Sequence, residues 1–138
     1  MAPTNSTNTK PMIYISVEDS RRLSDLAETI FSSNPNVSVE LLEEVDRAIV
    51  LPQGSIPAGV VTMNSEVEYL DEHTGRRHRV RLVYPKDADI EAGRISVLTP
   101  IGAALIGLSK GQKISWNTRS GERRTLSVVA VEPAYVHA

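Results

Sequence analysis

Cysteine is absent from this chain of 138 residues. Its absence excludes a disulfide framework, a thiolate metal site and a thiol nucleophile. Aromatic residues are scarce, 4% against 41% hydrophobic residues in all, so a core must be built from Val, Ile, Leu and Ala. No apolar run approaches the roughly 18 residues of a membrane-crossing helix. The opening MAPTNSTNTKP has no apolar segment of the kind a signal peptide needs. A cytoplasmic protein is therefore expected, and the glycosylation-like triplets at Asn5 and Asn36 carry no meaning. Charge of one sign is lacking too. A net charge of −2 argues against general binding to nucleic acid.

What charge there is divides unevenly. Residues 1–58 hold 4 basic and 8 acidic side chains, and residues 59–138 hold 11 and 9. The split suggests two modules. Residues 1–11 are polar and are expected to form a disordered tail. Ser16 and Asp19 fit a capping box, and Leu23, Leu26, Ala27, Ile30 and Phe31 make one helical stripe. Asn34-Pro35-Asn36 should end that helix and form the hairpin tip. A second helix from Ser38 carries Leu41, Leu42, Val45, Ala48 and Ile49. The short connection predicts an antiparallel helical hairpin over 12–51. Residues 52–59, bounded by Pro52 and Gly59, read as a linker.

Residues 60–138 read as strands with one short helix, which makes the chain α+β. Strands are expected at 60–62, 66–71, 79–84, 95–98, 113–117 and 125–132, with turns at 72–75 and at Ser120-Gly121. Pro85–Gly93 is an acidic loop, and a helix is expected at 101–107 after the Thr99-Pro100 break.

Little here carries catalytic chemistry. His73, His78 and His137 show no metal-ligand spacing. Gly102 and Gly107 have the spacing of a phosphate loop, but Leu108 and Ser109 stand where Lys and Ser or Thr are required. Gly102 reads instead as a tight approach at the helix start and Gly107 as the helix end. Arg77, Arg79 and Arg81 fall on one strand face. Pairing with Glu66 and Glu68 across the hairpin explains them better than a nucleic-acid patch, since no aromatic residues are interleaved for stacking. The hairpin tip, 32–37, has no acid. The acids on its flanks read as a solvated helix face rather than a Mg²⁺ site.

Three blocks then point to a family. Val61-Thr62-Met63-Asn64-Ser65, Leu82-Val83-Tyr84-Pro85 and Leu98-Thr99-Pro100-Ile101-Gly102-Ala103-Ala104-Leu105-Ile106-Gly107-Leu108 resemble the Rnk family, the regulators of nucleoside diphosphate kinase, which are relatives of the Gre transcript cleavage factors. The first two blocks separate Rnk from true Gre factors. The resemblance implies an FKBP-like C-terminal sheet domain with one short helix and a short N-terminal coiled-coil hairpin. It implies a monomer that binds the rim of the RNA polymerase secondary channel, with no cofactor, no metal, no membrane and no direct nucleic-acid readout. By resemblance, Thr99, Pro100, Ile101 and Gly102 would dock there, with Asp87 and Asp89 nearby. Ala103 replaces the arginine of the Gre motif. Gre factors carry two acids at the tip to help place the catalytic metal. Asn34, Pro35 and Asn36 offer none, so a non-enzymatic regulator without cleavage activity is expected. Two other functions compete with it. One is a regulator of nucleoside diphosphate kinase acting away from polymerase. The other is an FKBP-like prolyl isomerase, which the shortage of aromatics for a proline pocket argues against.

Overall fold

The computed structural model describes residues 10–117 and 120–133. Residues 1–9 of the expected tail, and His137, lie outside the described residues. Lys10 and Pro11, the end of that tail, are held against the second helix: Lys10 Nζ lies 3.1 Å from Glu44 Oε2, and Arg47 donates to the Pro11 carbonyl.

Helix α1 (Val17–Ile30) begins at the expected cap, where Ser16 Oγ accepts the Asp19 N–H at 3.0 Å. Glu18 and Asp19 in its first turn complement the helix dipole. Leu23 and Ala27 are buried on its inner face. Phe31 was expected on the same stripe, but it lies just past the helix end and is 55% exposed. Helix α2 (Pro35–Arg47) starts three residues earlier than the expected Ser38. A proline at the first helical position gives up no hydrogen bond, and its fixed φ already suits a helix. Pro35 thus bars α1 from continuing and opens α2. The buried Ser38 hydroxyl donates to the Ala27 carbonyl at 2.7 Å and ties the two helices together.

Ile49, expected as the end of the second helix, belongs to a strand. Strand β1 (Tyr14–Ser16) pairs in parallel with β2 (Ile49–Leu51), with Ile15 opposite Val50. The hairpin therefore leaves and returns through two adjacent strands. Neither strand was foreseen, because three residues are too few to show a period of two.

The larger sheet contains β3 (Glu66–Asp71), β4 (Arg76–Val83), β5 (Arg94–Ser96), β6 (Lys113–Asn117) and β7 (Arg123–Glu132), in the order β5-β4-β3-β7-β6. All neighbours are antiparallel except β4 and β5. Helix α3 (Pro100–Leu105) follows β5 and ends two residues before the expected Gly107. The strand expected at 60–62 is reduced to one bridge between Val60 and Ser109. The acidic loop contains two 3-10 turns, Pro85–Asp87 and Ile90–Ala92.

One hydrophobic core joins the two halves of the chain. Ile13, Ile15, Leu23, Leu41 and Val45 pack in the same cluster as Val61, Val67, Leu82, Leu105, Leu108 and Leu126. Residues 52–59 connect the halves along the chain, but no gap in packing separates them. Gly107 lies where three segments meet. Its φ is +82°, and a Cβ there would come 2.8 Å from Ile13 Cβ. Its carbonyl accepts Tyr14 N–H at 3.1 Å, and its N–H donates to the Val61 carbonyl at 2.9 Å. Only glycine fits both the backbone conformation and the close approach.

Candidate functional site

The Thr99-Pro100 corner is a preformed feature of the β5 edge. Thr99 caps α3, with its hydroxyl accepting Gly102 N–H at 3.0 Å and donating to the Ser96 carbonyl at 2.8 Å. Pro100 is exposed and sits in the first turn of α3, where it costs no hydrogen bond. Ile101 is half-buried against the core. Gly102 is buried. A Cβ there would lie 2.8 Å from Val97 Cα and closer still to the Ser96 carbonyl. Of the four expected contact residues, Pro100 is exposed, Thr99 and Ile101 are half-buried, and Gly102 is buried.

The acidic loop flanks the same edge strand, since Asp89 and Arg94 bridge across it and Pro85–Asp87 packs near β5. Asp87 and Asp89 differ in role. Asp89 is engaged: it caps the turn Ile90–Ala92 through Ala92 N–H, and its carboxylate lies 3.6 Å from the Arg94 guanidinium. Asp87 is exposed and is held through its backbone: its carbonyl accepts Arg94 Nε–H at 3.0 Å and its N–H donates to the Tyr84 carbonyl at 2.9 Å.

A second cluster, not anticipated from the sequence, joins α1 to the sheet. The Asp19 carboxylate does not complete the capping box. It accepts the Met63 N–H at 3.3 Å. Burial raises the Asp19 pKa, and that hydrogen bond works against the rise. The Tyr84 hydroxyl is buried without a hydrogen-bond partner. Its pKa is pushed up to about 12, first by burial and then by the negative charge of Asp19; the nearby Arg22 guanidinium opposes the shift but falls short of hydrogen-bond geometry. The turn beneath is built by Ser65, whose buried hydroxyl accepts Thr62 N–H at 2.9 Å, and by Asn64 at φ +71°. The blocks 61–65 and 82–85 thus meet at the base of the hairpin. Their joint singularity in the sequence was the signal that could have located this junction.

Two of the three arginines on this face pair across the strands as charge patterning predicts; the third, Arg81, donates instead to the Asn64 backbone carbonyl at 2.6 Å. Arg77 lies 3.4 Å from Glu68, and Arg79 lies 3.4 Å from both Glu66 and Glu68. His78 is opposite Tyr69, with ring centroids 5.2 Å apart. At the far end, Phe31, Ser32, Ser33 and Asn34 join α1 to α2, with Pro35 and Asn36 opening α2. Among the described residues, no group of three or more His, Asp or Glu could hold a metal ion, and no helix is long and apolar enough to cross a membrane.

Two family models match this chain. Residues 56–133 match the model of the C-terminal region of the transcription elongation factors GreA/GreB, and residues 11–51 match that of the Rnk N-terminus. The regulator of nucleoside diphosphate kinase from Escherichia coli strain K12 is 33% identical over 123 residues, 89% of this chain and 90% of that protein. Transcription elongation factor GreA from Azorhizobium caulinodans is 30% identical over 122 residues, 83% of this chain and 78% of that protein. A solved structure described as the prokaryotic transcription elongation factor GreA/GreB from Nitrosomonas europaea is 39% identical, with a TM-score of 0.70, and covers 90% of this chain and 100% of its own.

Proposed function

The chain belongs to the GreA/GreB family and carries the Rnk type of N-terminal region, and on that premise we propose a non-enzymatic transcription regulator. It binds RNA polymerase near the secondary channel as a monomer, competes with Gre-type factors, and does not stimulate transcript cleavage. The relatives are named as regulators and elongation factors, not as catalysts. The observation that carries the reading is the hairpin end. Phe31, Ser32, Ser33 and Asn34 offer no carboxylate, and metal-assisted phosphoryl chemistry needs oxygen ligands at the reacting end. A preformed docking corner is retained, while the means of cleavage is not.

The test is co-purification with core RNA polymerase, followed by displacement with a Gre factor and a cleavage assay on stalled complexes. Binding that a Gre factor competes away, with no added cleavage, is the expected result. Pro100→Asp should weaken binding without lowering thermal stability. No binding at micromolar concentration, or cleavage above background, would overturn the reading. The name of the Escherichia coli relative supports a second reading, direct action on nucleoside diphosphate kinase. A pull-down offering the kinase and the polymerase side by side separates the two.

A further inference from the structure

Both ends of the helical hairpin hang from the peptide that leaves α3. Helix α3 ends at Leu105, and Ile106 N–H closes its last turn on the Gly102 carbonyl at 3.2 Å. The Gly107 carbonyl then accepts the N–H of Tyr14, the first residue of β1. The carbonyl of the neighbouring Ile13 accepts the N–H of Ile49, the first residue of β2, at 2.9 Å. The seat is tight. A Cβ on Gly107 would come 2.8 Å from Ile13 Cβ, 3.1 Å from the Tyr14 carbonyl oxygen and 3.2 Å from Ile13 Cδ1. Ile13 and Ile106 are buried beside it, and α3 packs on α2 as well. The covalent link between the halves is held far less closely. Gln53, Gly54 and Ser55 are exposed, and a Cβ on Gly54 would meet nothing within 4 Å.

We infer that Gly107 is the positioning residue that aims the hairpin. It seats the root against the end of α3, so the arm and the Thr99-Pro100 corner move as one body, and residues 52–59 do not set the direction. The functional consequence rests on the polymerase binding proposed above. Two contacts made by one rigid body form together, with no hinge freedom to lose on binding. A swivelling arm would lose that freedom at each encounter. Close-packed interiors transmit a displacement rather than absorb it. A methyl group added at Gly107 must therefore push Ile13 and Tyr14 aside and swing the arm with them.

The experiment measures the aim directly. The chain has no cysteine, so introduced cysteines carry spin labels without background. Ser32→Cys with Arg76→Cys spans the hairpin end and the sheet, while Lys86→Cys with Arg76→Cys stays within the sheet half as a reference. All three positions are exposed. The arm-to-sheet distance distribution should be single and as narrow as the reference. A Gly-Gly insertion after Gly54 should leave it unchanged. Gly107→Ala should shift or broaden it while the reference pair keeps its distance. Binding of the full chain to core polymerase should be parent-like for the insertion and fall at least about tenfold for Gly107→Ala. A broad or two-peaked distribution in the parent overturns the rigid arm. A shift on insertion, or an unmoved arm in Gly107→Ala, overturns the role of Gly107. If Gly107→Ala does not fold, the reference pair reveals it, and the insertion still decides. A narrow distance that survives insertion in a chain that does not bind polymerase upholds the aim and overturns only the proposed function.

Discussion

Tyr84 gives the clearest residue-level test of the junction between hairpin and sheet. Its hydroxyl is buried with no hydrogen-bond partner, so removing it should cost nothing. Tyr84→Phe is expected to match the parent at neutral pH or exceed it by up to about 1 kcal/mol. The pH dependence has a definite sign. The folded pKa of about 12 lies above the ordinary value of 10.0, so the folded state holds the phenolic proton more tightly than the unfolded state does. That contribution is fully present below about 10 and is lost as pH rises toward about 12. Urea unfolding from pH 8 upward should show the parent losing stability in this window relative to Tyr84→Phe. Parallel profiles would mean that the hydroxyl is solvated. Asp19 shifts in the same direction: its contribution is present at acid pH and is lost as pH rises through its raised pKa.

Among the elements, the α3 corner depends on one hydroxyl. Thr99→Ala removes both the cap on Gly102 N–H and the bond to the Ser96 carbonyl. It is expected to cost about 1–2 kcal/mol, read as a lower denaturation midpoint, with Thr99→Ser recovering most of the loss. If the alanine variant melts with the parent, the cap does not hold the corner. This corner was legible in the sequence because a Thr-Pro pair before small apolar residues specifies a cap and a first helical position in local chemistry. Strands β3, β4, β6 and β7 were legible for a similar reason, since each is long enough to show alternation. Strands β1 and β2 were not. They are fixed by Ile13 and Gly107 from distant parts of the chain, and each runs directly into a helical pattern. Pro35 was read only as a stop, when the same fixed φ also makes it a start. Asp89 is expected near a docking surface by resemblance alone, and its sequence context gives no sign that its carboxylate is used inside its own loop.

For the whole molecule, the shared core outweighs the division suggested by charge. Ile13, Leu23 and Leu41 pack in one cluster with Val61, Leu105 and Leu126, so neither half can unfold without baring the other. The chain is expected to melt in a single transition with equal calorimetric and van't Hoff enthalpies. A fragment lacking residues 1–51 should not show a cooperative transition of its own. Two separable transitions, or a fragment that melts cooperatively, would contradict this. Strands β1 and β2 add a further consequence. They lie side by side and clamp both ends of the hairpin at its root, while nothing but Phe31–Asn34 closes the far end. The hairpin is a cantilever, and its length is a free parameter of the design. Each turn added to both helices at the far end would extend it by about 5.4 Å without disturbing a single contact at the root. A short blunt arm and a long reaching one can therefore share the same mount.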